Sequence, residues 1–230
     1  MNVHLDTPNR LSVKIRHAVV LLILLWMPFG FASADGGRST PSTCSYDTYK
    51  WNVQQKRAVE HRSVRHPYAA LGSDEIDPAS GCSVCREDQV RIELPSVTPF
   101  DLCHVFAARV KTVLLELIDD GVPVHEVVGY RVGRTRGDVD AEGNRTRFSN
   151  HSFGAALDIN PQHNGLYDHC LRFGPHCRLI RGGPWQPGVS DASLTADGPV
   201  VHALQAIGLR WGGTIAGKQK DFMHFSVTGY

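Results

Sequence analysis

The chain has 230 residues, 24 of them basic and 23 acidic, for a net charge of +1, and 42% are hydrophobic. So even a balance leaves no large field of one sign and argues against nucleic acid as a partner. The length suits one domain with a proper core and some N-terminal elaboration.

The first element is a targeting segment. Arg10, Lys14, Arg16 and His17 precede an unbroken apolar run from Ala18 to Met27, and Ala32-Ser33-Ala34 offers a small-x-small cleavage site. That order predicts an export signal over residues 1–34. The apolar run meets Pro28 and Gly30 before reaching the ~20 residues that a membrane span requires. The reading is therefore cleavage, with no stable membrane insertion afterwards. Cleavage removes three basic residues (Arg10, Lys14, Arg16) against one acidic (Asp6), turning the net charge from +1 to −1.

All six cysteines follow the signal: Cys44, Cys82, Cys85, Cys103, Cys170 and Cys177. An even number behind an export signal predicts disulfides made in an oxidising compartment. Cys170–Cys177, which closes a short loop, is the one pairing the spacing suggests. Cys82-x-x-Cys85 leaves two other readings open, a redox pair or a structural zinc site with Cys44 and Cys103. No βαβ pattern surrounds it, and structural zinc suits an exported protein poorly.

Residues 35–98 read as an N-terminal extension with cysteines. Residues 35–43 are a flexible lead-in, Tyr46–His61 a helix, and Gly72–Gly81 a run of turns. Residues 99–230 carry the stronger patterns. Leu102, Val105, Phe106, Val110, Val113, Leu114, Leu117 and Ile118 recur at helical steps, predicting a helix over Pro99–Asp120 that Gly121 ends. Val124–Tyr130 reads as a short strand and Gly133–Arg147 as a polar loop. In the strand expected over Ala155–Asn160, alternation sets Ala156, Asp158 and Asn160 against Ala155, Leu157 and Ile159. Residues 162–191 are a long irregular stretch, either functional or clamped. A helix over Leu194–Ile207 starts from Ser193 and stops at Gly208, and Phe222–Val227 is the last strand. The sum is an α+β domain, a small and mostly antiparallel sheet flanked by helices.

Two short segments carry the chemistry. A catalytic zinc takes three protein ligands from imidazole nitrogen and carboxylate oxygen and keeps one position open. His151, Asp158 and His224 provide such a set without a thiolate. Ser149-x-His151-x-x-Gly154-x-Ala156-x-Asp158 resembles, at every specified position, a signature of peptidase family M15. This is the family of D-alanyl-D-alanine carboxypeptidases and L-alanyl-D-glutamate endopeptidases. Asp221-x-x-His224-Phe225 looks like its closing motif. Gly208-Leu209-Arg210-Trp211-Gly212-Gly213 is similar to the Gly-Trp-x-Trp-Gly-Gly stretch of the endopeptidase branch, with Leu209 in place of the first tryptophan. The resemblance spans roughly residues 100–228.

The resemblance implies a hedgehog/D-Ala-D-Ala-peptidase-like fold over residues 99–230 and Zn2+ held by His151, Asp158 and His224. It makes Asp221 the general base and Arg131 the residue that stabilises the oxyanion, with Arg134 and Arg136 near enough to replace it. Ser149 would hydrogen-bond substrate or a neighbouring side chain. The implied activity is zinc-dependent hydrolysis of a peptide bond in peptidoglycan stem peptides, of the L-Ala-D-Glu type, in the periplasm or outside a bacterial cell. Two alternatives stand beside it: a D-Ala-D-Ala carboxypeptidase, and a non-catalytic wall-binding module that retains a metal. Retention of Asp221 speaks against the module. One geometric condition also applies: residues three apart in a strand face opposite ways, so Asp221 must precede the last strand or follow a bulge.

Overall fold

A computed structural model describes residues 39–230, and the chain enters them in a β-hairpin where the sequence suggested a helix over Tyr46–His61. Strands β1 (Thr43–Asn52) and β2 (Arg57–Pro67) pair antiparallel. The reason is the two-residue alternation of Cys44, Tyr46 and Thr48, all turned inward. The reversal uses neither glycine nor proline. Asn52 Oδ1 accepts the N–H groups of Gln54 (3.1 Å) and Gln55 (2.8 Å), and Lys56 takes a left-handed φ of 52°.

A second hairpin, β3 (Gln89–Leu94) and β4 (Val97–Cys103), displaces the start of the next predicted helix. Val97, Phe100 and Leu102 alternate inward along β4, and Pro99 has no N–H to give a helix interior. Helix α1 therefore spans His104–Asp119. Leu102 belongs to the strand, Val105 is exposed, and the buried face is Phe106, Ala107, Val110, Leu114 and Leu117. Gly121, at φ 77°, ends the helix as expected, with Val122 N–H bonded to Leu117 O.

The remaining strands are β5 (Val127–Val128), β6 (Arg134–Val139), β7 (Arg145–Phe148), β8 (Ala156–Ile159), β9 (Leu166–Asp168) and β10 (Arg178–Arg181). Helix α2 (Pro199–Ala206) and strands β11 (Arg210–Trp211), β12 (Lys220–Asp221) and β13 (His224–Ser226) complete the chain. The strand expected at 124–130 is thus only two residues long. The polar loop expected at 133–147 is the β6–β7 hairpin, reversed where Asp140 Oδ1 accepts Asn144 N–H at 2.7 Å. The helix expected from Leu194 starts at Pro199, because Asn164 Oδ1 takes the Leu194 N–H (2.7 Å) and Thr195 O takes that of Gly198. Proline suits the first helical position, where its missing N–H is not needed.

The strands form several small sheets, antiparallel except for a single parallel pairing of β1 with β6. One has the order β2-β1-β6-β7, a second β10-β9-β12, a third β11-β13-β8-β5, and β3 pairs with β4. β8 is flanked on both sides and buried on both faces. Leu157 and Ile159 join the core, while Asp158 lies on the opposite face. Thr40–Tyr230 form one compact unit. The expected export signal lies outside the described residues. Among the described residues no helix is long and apolar enough to cross a membrane.

The cysteines pair as Cys44–Cys85, Cys82–Cys103 and Cys170–Cys177, leaving none free among the described residues. The last is the pairing suggested by spacing. Cys82 and Cys85 bond to different partners, which removes both the redox pair and the structural zinc site. Closing loops with separations of 41 and 21 residues is worth ~3–4 kcal/mol each by chain entropy, and ties residues 44–85 to the end of β4.

Candidate metal centre

The site begins with the sharp turn after β7. Residues Asn150–Phe153 form a single 3-10 turn, closed by Gly154 at φ 62°. Cys103 N–H, at the end of β4, bonds to Gly154 O at 3.0 Å. A Cβ on Gly154 would fall 2.5 Å from Cys103 N and 2.0 Å from Gln89 Oε1, so left-handed backbone and close approach both demand glycine. Gly154→Ala is expected to lower the unfolding midpoint by about 5–10 °C, since strain of this kind costs ~2–3 kcal/mol. Thermal unfolding followed by circular dichroism measures it; an unchanged midpoint would show that the turn is not braced this way.

The turn aims His151 at the β8–β13 pair. Its Nδ1 lies 2.8 Å from Gly129 O. A carbonyl only accepts, so Nδ1 carries the hydrogen and Nε2 presents its lone pair. That Nε2 is 3.0 Å from Asp158 Oδ1 and 3.2 Å from His224 Nδ1. His224 and Asp158 are direct cross-strand partners, with Nδ1 and Oδ1 3.0 Å apart. One carboxylate oxygen and two imidazole nitrogens thus converge on one point, all three residues buried, in a group that can hold a metal ion. Burial pushes the His151 pKa down despite the carboxylate beside it. At Asp158 burial opposes the charge, but His151 and His224 hold the carboxyl well below its ordinary range.

Asp221 meets the condition on spacing by lying in β12, which pairs with β9, ahead of β13. Trp211 Nε1 donates to Phe222 O at 2.7 Å, fixing the turn between the two strands. A Cβ on Gly212 would fall 2.4 Å from Asp221 O, so glycine is needed behind the carboxylate. Asp221 Oδ1 is buried without a hydrogen-bond partner. Burial pushes its pKa up to about 6, against the opposing pull of His224 and of the Arg136 and Arg131 guanidiniums.

Arg131 is in the cluster. Its backbone N–H bonds to His151 O (3.1 Å) and its Nη2 donates to Asp158 Oδ2 (3.1 Å). Arg134 is drawn away, paired with Asp74 at 2.7 Å and lying 4.0 Å over the Phe148 ring. Arg136 senses Asp221 without an ion pair to it. The buried Ser149 hydroxyl lies 3.3 Å from Ser152 Oγ, which in turn bonds to the Gly133 backbone. It touches a neighbouring side chain of the turn that carries His151.

Two contributors, Gly129 and Asn160, had no role assigned from the sequence. Gly129 acts through its carbonyl, for which residue type gives no signal. Asn160, at φ 46°, anchors the end of β8: its Oδ1 accepts His125 N–H (2.7 Å) and its Nδ2 donates to Pro123 O (2.7 Å). Its place two residues after Asp158, on the same face of the expected strand, was the available hint.

Residues 142–227 match the protein-family model described as D-alanyl-D-alanine carboxypeptidase. No match was found among curated proteins or among solved structures. The matched stretch contains His151, Asp158, Asp221 and His224 together, and over that stretch the chain is similar to peptidase family M15.

Proposed function

We propose that the protein is an exported zinc peptidase that hydrolyses a peptide bond in the stem peptides of bacterial peptidoglycan, with the L-alanyl-D-glutamate bond as its target. The observation that carries this reading is the triangle of ligand atoms. Zinc bonds of ~2.0–2.1 Å to nitrogen and oxygen place tetrahedral ligand atoms ~3.3 Å apart. The separations of 3.0–3.2 Å among His151 Nε2, Asp158 Oδ1 and His224 Nδ1 are close to that value. The donor set, two imidazoles and a carboxylate, also suits zinc with a position left open.

When bound, a zinc ion supplies Lewis acidity towards a water and the scissile carbonyl. The chain's own residues supply the rest. Asp221 takes the proton of the attacking water on Oδ1, the oxygen left without a partner, and hands it to the departing amine. Arg131 holds Asp158 in place through Nη2 and carries positive charge beside the point where the carbonyl oxygen becomes negative. Gly129 O holds the His151 ring in one tautomer, so that Nε2 stays available.

The choice of bond rests on the Trp211-Gly212-Gly213 block, which resembles the endopeptidase branch. The family description favours the second reading, removal of a terminal D-alanine. Mass analysis of defined muropeptides after incubation, with and without chelator, decides between them. The expected result is a product with a new D-glutamate amino terminus, formed only with metal. Loss of a single D-alanine would assign the carboxypeptidase, and tight binding without cleavage would assign a wall-binding module.

A further inference from the structure

Cys82-Ser83-Val84-Cys85 lies outside every helix and strand, yet all four residues are buried, Cys82, Val84 and Cys85 completely. Two cross-links fix the course of this irregular segment. Cys85 is bonded to Cys44 of β1, and Cys82 to Cys103 at the end of β4, so its two ends are held to different strands. From this clamp three contacts lead towards the turn that carries His151. Tyr130 donates its hydroxyl hydrogen to Val84 O at 2.6 Å. Gln89 Nε2 donates to Ser83 O (3.2 Å) and Cys85 O (3.0 Å), which sets the other end of its amide against Gly154. Cys103, the partner of Cys82, donates its N–H to Gly154 O.

Of the three, Tyr130 acts most directly on a metal ligand. Its backbone N–H donates to Asp101 O at 2.7 Å, so the residue is anchored at its main chain by β4 and at its tip by Val84. The residues on either side of it hold His151. Gly129 O accepts from the ring Nδ1 at 2.8 Å, and Arg131 N–H donates to His151 O at 3.1 Å. A shift of Tyr130 therefore displaces the ring and the backbone of His151 together. Burial pushes the phenol pKa up, so the hydroxyl keeps the proton it donates. Partners that orient a metal-binding imidazole from behind are worth ~10–100-fold in metal affinity.

We propose that Tyr130 is a positioning residue for His151, and that the Cys44–Cys85 and Cys82–Cys103 disulfides set its place, so that closing them is a step in building the metal site. Each closure forms one S–S bond and takes two electrons and two protons from a pair of thiols. A disulfide oxidant accepts them by thiol–disulfide exchange and leaves as two thiols. Residues 44–103 thereby take part in holding the cation, although they supply none of the three converging donors. The inference rests on the metal site proposed above and not on which peptide bond is cut.

The test is the affinity of the folded chain for zinc alone, measured well below the melting midpoint by competition with a chromogenic chelator. Tyr130→Phe keeps the ring and removes only the hydroxyl, and is expected to bind zinc ~10-fold or more weakly than the wild type. The double variant Cys82→Ala, Cys103→Ala should weaken binding as much, and it leaves no thiol to take the ion itself. The double variant Cys170→Ala, Cys177→Ala removes the disulfide outside this route. It should melt lower yet keep wild-type affinity, which separates positioning from a general loss of stability. Wild-type affinity in Tyr130→Phe, or in a folded Cys82→Ala, Cys103→Ala chain, overturns the proposal, and so does weakening of equal size in all three variants. Tyr130→Phe retains every disulfide, so the test holds even where the Cys82→Ala, Cys103→Ala chain does not fold. A wild type that takes up no zinc strikes the metal reading and this inference with it, whereas variants that bind as tightly as a zinc-binding wild type strike this inference alone.

Discussion

Asp221→Ala is expected to keep the divalent cation and lower turnover by roughly 10²–10⁴-fold, the usual worth of a positioned acid–base group. The side chain is not among the converging ligand atoms, so its loss leaves that set complete. It does remove the unpartnered carboxylate oxygen of the site, and with it the place where a proton can rest. Acidity gives a second handle on the same residue. Because burial pushes the carboxyl up to about 6, protonation removes the base as pH falls, and kcat declines on the acid side. A cation nearby favours the ionised form, so the limb is expected at or below about 6. Metal content by atomic absorption and kcat across pH on a cleaved muropeptide test both parts. Near-full activity of Asp221→Ala, with metal bound, would remove Asp221 from the chemistry.

The convergence of His151, Asp158 and His224 could be read from the sequence because the motif specifies them and because β8 is a strand by plain alternation. Asp158 then needed only a partner strand, and His224 lies directly across from it. His151 was a different case. Its direction depends on a 3-10 turn braced by Gln89 and Cys103, residues of a region with no motif. The N-terminal hairpin was missed because its reversal is made by the Asn52 side chain and a left-handed Lys56, where glycine or proline would have given a visible signal. The β6–β7 hairpin was read as a loop because its residues are polar; β7 is the edge of its sheet and β6 meets β1 at a single residue pair, so neither strand needs an apolar face. Likewise Leu194 looked helical by pattern, while its N–H is committed to Asn164. Local periodicity cannot register a bond to a side chain 30 residues away. The same limit separates Arg131 from Arg134. Nothing in their spacing says which reaches Asp158 and which pairs with Asp74.

His151→Ala is expected to abolish both metal binding and activity, and stability should show it independently of any substrate. A ligand that binds only the folded state stabilises it by ~2.7 kcal/mol at a concentration 100 times its dissociation constant. For a chain of this size that is a fall of about 5–10 °C in midpoint when the metal is removed. The wild type should therefore melt lower in chelator, while His151→Ala, with two of the three donors left, should melt at the same temperature with or without it. The same comparison separates this ligand from Asp221, since Asp221→Ala keeps the chelator response of the wild type. Should His151→Ala retain that response, the cation would be held elsewhere. The 3.0 Å and 3.2 Å approaches of His151 Nε2 would then belong to a buried hydrogen-bond cluster that needs no metal.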